Sequence, residues 1–174
     1  MQPNQPFLVD TLWAELERLE IVPQLSVHPL VGVKRDAKGS VVKFGELGTK
    51  SAPADGEVES LIQIEVPRMP KNKLLELRQS LTEALELAHA AVDDFDKLIK
   101  RMKMLKEQID HKRSEHPANV EKINFLEWLI DNHFIFLGYR QYDVKHDKKG
   151  ATVQVHKGAS LGILRNEEAS SLSK

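Results

Sequence analysis

The chain of 174 residues contains no cysteine. That excludes a disulfide framework, thiolate catalysis and any zinc or iron–sulfur centre with cysteine ligands, and it fits a reducing compartment. An excess of one charge is also lacking, since 25 Lys and Arg stand against 26 Asp and Glu. Such a balance gives no whole-chain field for steering towards phosphate or an anionic membrane, so nucleic acid would need a local basic patch. No apolar run reaches the roughly 18 residues that a bilayer demands. The opening Met1-Gln2-Pro3-Asn4-Gln5-Pro6 has no basic stretch followed by an apolar one, so no secretory leader is expected. These absences predict no membrane association and a cytoplasmic location. His-x-x-x-His, Gly-x-Gly-x-x-Gly and phosphate-loop glycine patterns are missing too. No catalytic, cofactor-binding or metal-ligating residues are expected in this chain.

What is present is organised by period. Leu8, Val9, Leu12, Leu16 and Leu19 recur at helical spacing from about Pro6, with Asp10 in the early turns and Pro23 as the expected stop. Leu25, Val27, Pro29, Val31 and Val33 share one parity over 24–34, the alternation of a strand with one buried face. Pro29 lacks a ladder donor and marks an edge or a bend. Arg35-Asp36-Ala37-Lys38-Gly39 is turn chemistry, and Val41 to Phe44 completes a hairpin. A polar loop over 45–58 precedes a strand over 59–66, which Pro67 and Pro70 end.

Beyond Pro70 the period changes to that of a helix. Leu81, Leu85, Ala88, Val92, Phe95, Ile99 and Met102 follow a 4-3-4-3 spacing, the pattern of a packing seam. A continuous helix over 71–112 would be roughly 60 Å long. It is expected to project or pair with another helix or subunit, the other possibility being a break near Asp93-Asp94. Ser114 to Pro117 is a joint, and Asn119 is the expected cap of a shorter helix through Trp128 to Ile130, forming an antiparallel hairpin with the first. Phe134–Val144 and Ala151–His156 read as strands about a turn at 147–150, and 166–174 reads as a frayed polar end.

Each cluster of polar residues has a plain reading beside the chemical one. The seven His, at 28, 89, 111, 116, 133, 146 and 156, are scattered. His111, Glu115 and His116 could gather an adventitious metal, but a surface cluster explains them better. Asp93-Asp94 and Glu167-Glu168 are adjacent in sequence, so each pair diverges on a helix and reads as a solvated face rather than an acid/base couple. Lys97, Lys100, Arg101, Lys103 and Lys106 form a basic stretch, yet acidic neighbours flank it and no aromatic platform accompanies it. Nucleic acid is disfavoured.

The fold class is α+β: a ferredoxin-like sheet lacking its first strand, a long helical hairpin, and the start of a second β-containing domain. Three parts are expected: 1–92 as the α/β domain, 93–131 as a helical hairpin arm or linker, and 132–174 as the β-rich start of a second, truncated domain.

Several blocks then carry a family resemblance. Pro6-Phe7-Leu8-Val9-Asp10-Thr11, Val27-His28-Pro29, Val33-Lys34-Arg35-Asp36 and Glu59-Ser60 with Ile62-Gln63-Ile64-Glu65 resemble the N-terminal region of large bacterial NAD-specific glutamate dehydrogenases. Phe125-Leu126-Glu127-Trp128-Leu129, Asn132-His133-Phe134, Phe136-Leu137-Gly138-Tyr139-Arg140 and Leu161-Gly162-Ile163-Leu164-Arg165 continue the match. The resemblance implies an ACT-like regulatory domain and a parent enzyme whose NAD and glutamate sites lie far downstream, with no cofactor in this segment. It implies a small amino-acid effector or subunit interface near the first strand–helix turn, with Asn4, Gln5, Phe7, Asp10 and His28 as candidates. Homo-oligomer contacts would use the seam of Leu81, Leu85, Val92, Phe95, Ile99 and Met102, and the downstream catalytic domain would be the intrachain partner. The chain departs from that pattern at Pro3, Asn4 and Gln5, where relatives carry acidic residues and Met. An independent scaffold acting through the heptad helix and an RNA-associated module are the alternative functions.

Overall fold

A computed structural model describes residues 1–47, 52–53, 55–112, 116–147 and 150–166. The chain forms two compact units, Met1–Glu86 and Leu87–Lys174.

In the first unit, β1 (Gln2–Pro3), α1 (Leu8–Arg18), β2 (Leu25–Val27), β3 (Leu30–Arg35), β4 (Val41–Leu47), β5 (Glu57–Ser60) and β6 (Gln63–Glu65) precede α2 (Lys71–Asp93). The four-stranded sheet runs β1-β5-β3-β4, every neighbour antiparallel. Helix α1 therefore crosses from β1 to β3 with β5 between them, the split β-α-β arrangement of ferredoxin-like units. The expected α+β class holds, with one difference at the start. Residues 1–5, expected to supply no strand, pair Gln2 with Ser60 and Pro3 with Glu59. Asn4 extends this pairing by donating its N–H to the Val58 carbonyl at 3.1 Å. Pro3 is tolerated because β1 lies at the sheet edge.

Pro29 is the expected bend. It separates β2 from β3, and its carbonyl accepts the Leu61 N–H at 3.0 Å where the partner chain also breaks, between β5 and β6. Beyond it β2 and β6 continue as a separate antiparallel pair. The strand expected over 59–66 is thus two short strands. Leu8, Leu12 and Leu16 of α1 are buried together with Val31, Val33 and Leu77.

The first helix ends at Arg18 rather than at Pro23. Glu20 takes a left-handed conformation (φ 57°). Its N–H reaches the Glu17 carbonyl and the Ile21 N–H reaches that of Leu16, each at 2.9 Å. These two bonds make a Schellman cap, which stops the helix before any proline is needed.

In the second unit, α3 (Phe95–Asp110) and α4 (Ala118–Trp128) pack against each other, and a π-type turn (Leu129–His133) follows α4. The Lys106–Glu127 ion pair (2.8 Å) and the bond from Asn119 Nδ2 to the Lys112 carbonyl (2.7 Å) fix them as antiparallel. Asn119, expected as the helix cap, instead serves the end of α3; His116 Nδ1 accepts the Ala118 N–H at 3.2 Å. The expected strand over 134–144 is represented by β7 (Gly138–Tyr139) and the start of β8 (Tyr142–Asp147). The latter pairs with β9 (Gly150–Val155), and β7 pairs with β10 (Leu161–Gly162). Glu115, Glu167 and Glu168 lie outside the described residues, as does most of the polar end over 166–174.

The favoured continuous helix over 71–112 is not what the chain forms. It is interrupted at Asp94, whose φ of −99° and ψ of 1° leave the helical region. The buried ridge around the break is Ala91, Asp94 and Leu98. Val92, Phe95, Ile99 and Met102 occupy the adjacent ridge, where Phe95 stays exposed and the other three are half-buried.

Candidate regulatory site

The turn from β1 into α1 gathers four of the five candidate effector residues along one stretch of backbone. Asn4 is anchored to the sheet, its Oδ1 accepting the Ser60 hydroxyl at 2.8 Å. Gln5 is half-buried, and its Nε2 is enclosed without a partner among the described residues. Phe7 caps α1 from a left-handed conformation (φ 70°) and offers no side-chain acceptor to the first helical amides. Its carbonyl accepts the Thr11 N–H at 2.9 Å, while its ring stays exposed. Asp10 is exposed in the first turn, on the side of the helix dipole that favours a carboxylate. His28 is exposed at the β2–β3 junction, and no described hydrogen bond joins it to that turn.

A second feature is an open apolar groove of about 560 Å³ in the first unit. Leu12 and Leu16 of α1, Ile64 of β6 with Ile62 and Val66 flanking it, and Leu81 and Leu85 of α2 line it, with Arg78 and Thr82 as its polar members. Two residues of the expected seam therefore face this groove.

The strongly engaged carboxylates are each held by a cation. Glu15 of α1 accepts Arg18 at 2.6 and 2.9 Å and the Ser80 hydroxyl of α2. The Arg18 guanidinium, then Ser80, lower its pKa from 4.5 to about 2. Glu59, only 5% exposed, accepts Arg35 Nε at 2.6 Å and Nη2 at 2.7 Å, which lowers its pKa.

Asp94 is the residue that sequence reasoning misplaced. Expected on a solvated face, it is 1% exposed. Its Oδ2 accepts Arg165 Nε at 2.7 Å and the Gly162 N–H at 2.9 Å, and its Oδ1 accepts Lys97 Nζ at 2.8 Å. The Arg165 guanidinium is the main cause of a pKa far below the carboxylate range, against the opposing effect of burial. One signal was available: Asp94 shares a three- and four-residue spacing with Ala91 and Leu98. Asp93 does remain exposed.

The basic stretch of α3 is largely spent within the chain. Lys97 pairs with Asp94, Lys106 with Glu127, and Arg101 lies 6.0 Å over the Tyr139 ring. Among the described residues no group of three or more His, Asp or Glu side chains is placed to hold a metal. No described helix is long and apolar enough to cross a membrane.

Cation-held carboxylates, an apolar groove and an open strand–helix turn sit on an α+β fold that is ACT-like in its first unit. Residues 1–81 match the family described as glutamate dehydrogenase, ACT1 domain. The chain is 31% identical over 97% of its length to the NAD-specific glutamate dehydrogenase of Halomonas elongata. It is 30% identical over 95% of its length to the NAD-specific glutamate dehydrogenase of Pseudomonas aeruginosa. This chain is thus similar to the ACT-containing N-terminal region of that family, and it spans about a tenth of the length of these relatives.

Proposed function

We propose that this chain is a non-catalytic regulatory and assembly segment of an NAD-dependent glutamate dehydrogenase. In the parent reaction L-glutamate gives hydride to NAD and, with water, yields 2-oxoglutarate and ammonium. Both sites for that chemistry belong to a downstream catalytic domain, and this segment acts on them through subunit packing. The observation that carries the reading is the ACT1 match over residues 1–81, continued by relatives aligned across nearly the whole chain.

Within that role, a small amino acid binds at the β1–α1 turn. The uncapped first amides of α1 and the carboxamides of Asn4 and Gln5 suit its carboxylate and amine. Subunits pair through the expected seam residues, Leu81 and Leu85 in the first unit and Val92, Phe95, Ile99 and Met102 in the second. Engagement of Lys97, Arg101 and Lys106 by intrachain partners counts against an RNA-associated module.

Light scattering across concentration, with calorimetric titration of single amino acids, tests this reading. The expected result is an oligomer that releases heat with one or a few amino acids and loses that heat in Gln5→Ala. A strict monomer that binds none of them overturns it.

A further inference from the structure

The interruption at Asp94 is not explained by a helix-breaking residue. Between Lys71 and Asp110 there is neither proline nor glycine, the usual sources of a sharp break in a helix. The 4-3-4-3 spacing through Ala88, Val92, Phe95, Ile99 and Met102 passes straight across the break, as if the helix continued. Asp is a good capping residue, and a locally determined break would have its carboxylate accept an amide of its own first turn. Asp94 makes no such bond. Its Oδ2 goes instead to the Gly162 N–H and to Arg165, 68 and 71 residues downstream.

That receiving backbone is itself fixed. Gly162 sits at φ 61°, and a Cβ there would run into the Leu137 carbonyl, so β10 is pressed against the chain entering β7. Arg140 ties the same segment down by donating through Nη2 to the carbonyls of Leu164 (2.7 Å) and Asn166 (2.6 Å). The carboxylate meets a rigid partner, and the helix yields.

We propose that the Asp94–Gly162–Arg165 contact is a conformational latch: while closed it divides the helix at Asp94, and when opened residues Leu87–Asp110 form one continuous helix. The two ends of the latch differ in access. Asp94 is sealed, whereas the Arg165 side chain is 45% exposed, so a competing carboxylate or phosphate reaches the guanidinium and opening starts from Arg165. In the open state Val92, Phe95, Ile99 and Met102 align as one uninterrupted ridge. The latch follows from the geometry of the second unit alone and does not depend on the glutamate dehydrogenase reading.

The absence of native cysteine makes the test clean. Spin labels at Leu87→Cys and Gln108→Cys in the full chain report the span of this stretch, which in a continuous helix is about 31 Å. The parent should show a shorter main distance, and Arg165→Gln and Asp94→Asn should move the population to about 31 Å. Arg165→Lys, which keeps the charge but loses the Nε geometry, should populate both distances. A parent already at the continuous-helix span, or unchanged distances in all variants, overturns the latch. So does loss of cooperative unfolding in every variant, because a switch requires an open form that stays folded.

Discussion

Glu20 occupies the position that glycine takes in most Schellman caps, and a side chain in the left-handed region is strained there. Glu20→Gly should raise stability by about 1 kcal/mol, seen as a higher urea midpoint with an unchanged slope. Glu15 supplies the pH dependence of the α1–α2 contact. Its folded pKa of about 2 lies below its ordinary 4.5, so its stabilising effect is complete above 4.5 and is lost as pH falls towards 2. Asp94, also depressed, acts in the same direction below its ordinary 3.8. Urea midpoints measured from pH 5 down to 2 should therefore fall, and Glu15→Gln should flatten the upper part of that fall. Glu20 is not a recognised stop signal; for Asp94 the spacing with Ala91 and Leu98 hints at burial, but two of its three partners lie 68 and 71 positions away.

At the scale of elements, patterns set by near neighbours were legible. The parity of Val31 and Val33, the bend at Pro29, the turn at Asp36–Gly39 and the buried Leu8-Leu12-Leu16 face all follow from local period and turn chemistry. Features that depend on distant backbone were not: the two-residue β1, the split of β5 from β6, and the shift of the buried ridge from Val92 and Phe95 to Ala91, Asp94 and Leu98. Of the candidate site, Asn4, Gln5 and Phe7 lie between β1 and α1 and Asp10 in the first turn of α1. The Arg35–Glu59 pair joins two elements, since Arg35 also donates through Nη1 to the Gly39 carbonyl of the β3–β4 turn at 2.7 Å. Lysine cannot reproduce this fork. Arg35→Lys should cost about 1–2 kcal/mol in thermal unfolding, because Glu59 would keep its burial and lose one of its two bonds.

At the scale of the whole molecule, each unit carries its own core: Leu8, Leu12, Leu16, Val31 and Val33 in one, Ala91, Leu98, Ile123, Leu126 and Phe136 in the other. Two cores predict two separable unfolding events. Glu20→Gly should raise only the event belonging to Met1–Glu86. Asp94→Asn should lower only the other, by roughly 2–3 kcal/mol, through loss of charge-assisted bonds to a buried group. Peptide-resolved hydrogen exchange distinguishes the two, and a single transition that moves as one in both variants would contradict this division.

The meeting of Asp94 with Arg165 also sets an order of events during synthesis. A nascent polypeptide emerging from the ribosome exposes Asp94 well before its guanidinium arrives, and β7 likewise, over a shorter stretch of chain, waits for β10. Translation halted short of Leu161 would release a product whose Asp94 carboxylate keeps Lys97 but lacks Gly162 and Arg165, and with a strand edge left open. Chaperones and proteases would meet that product as an unfinished protein.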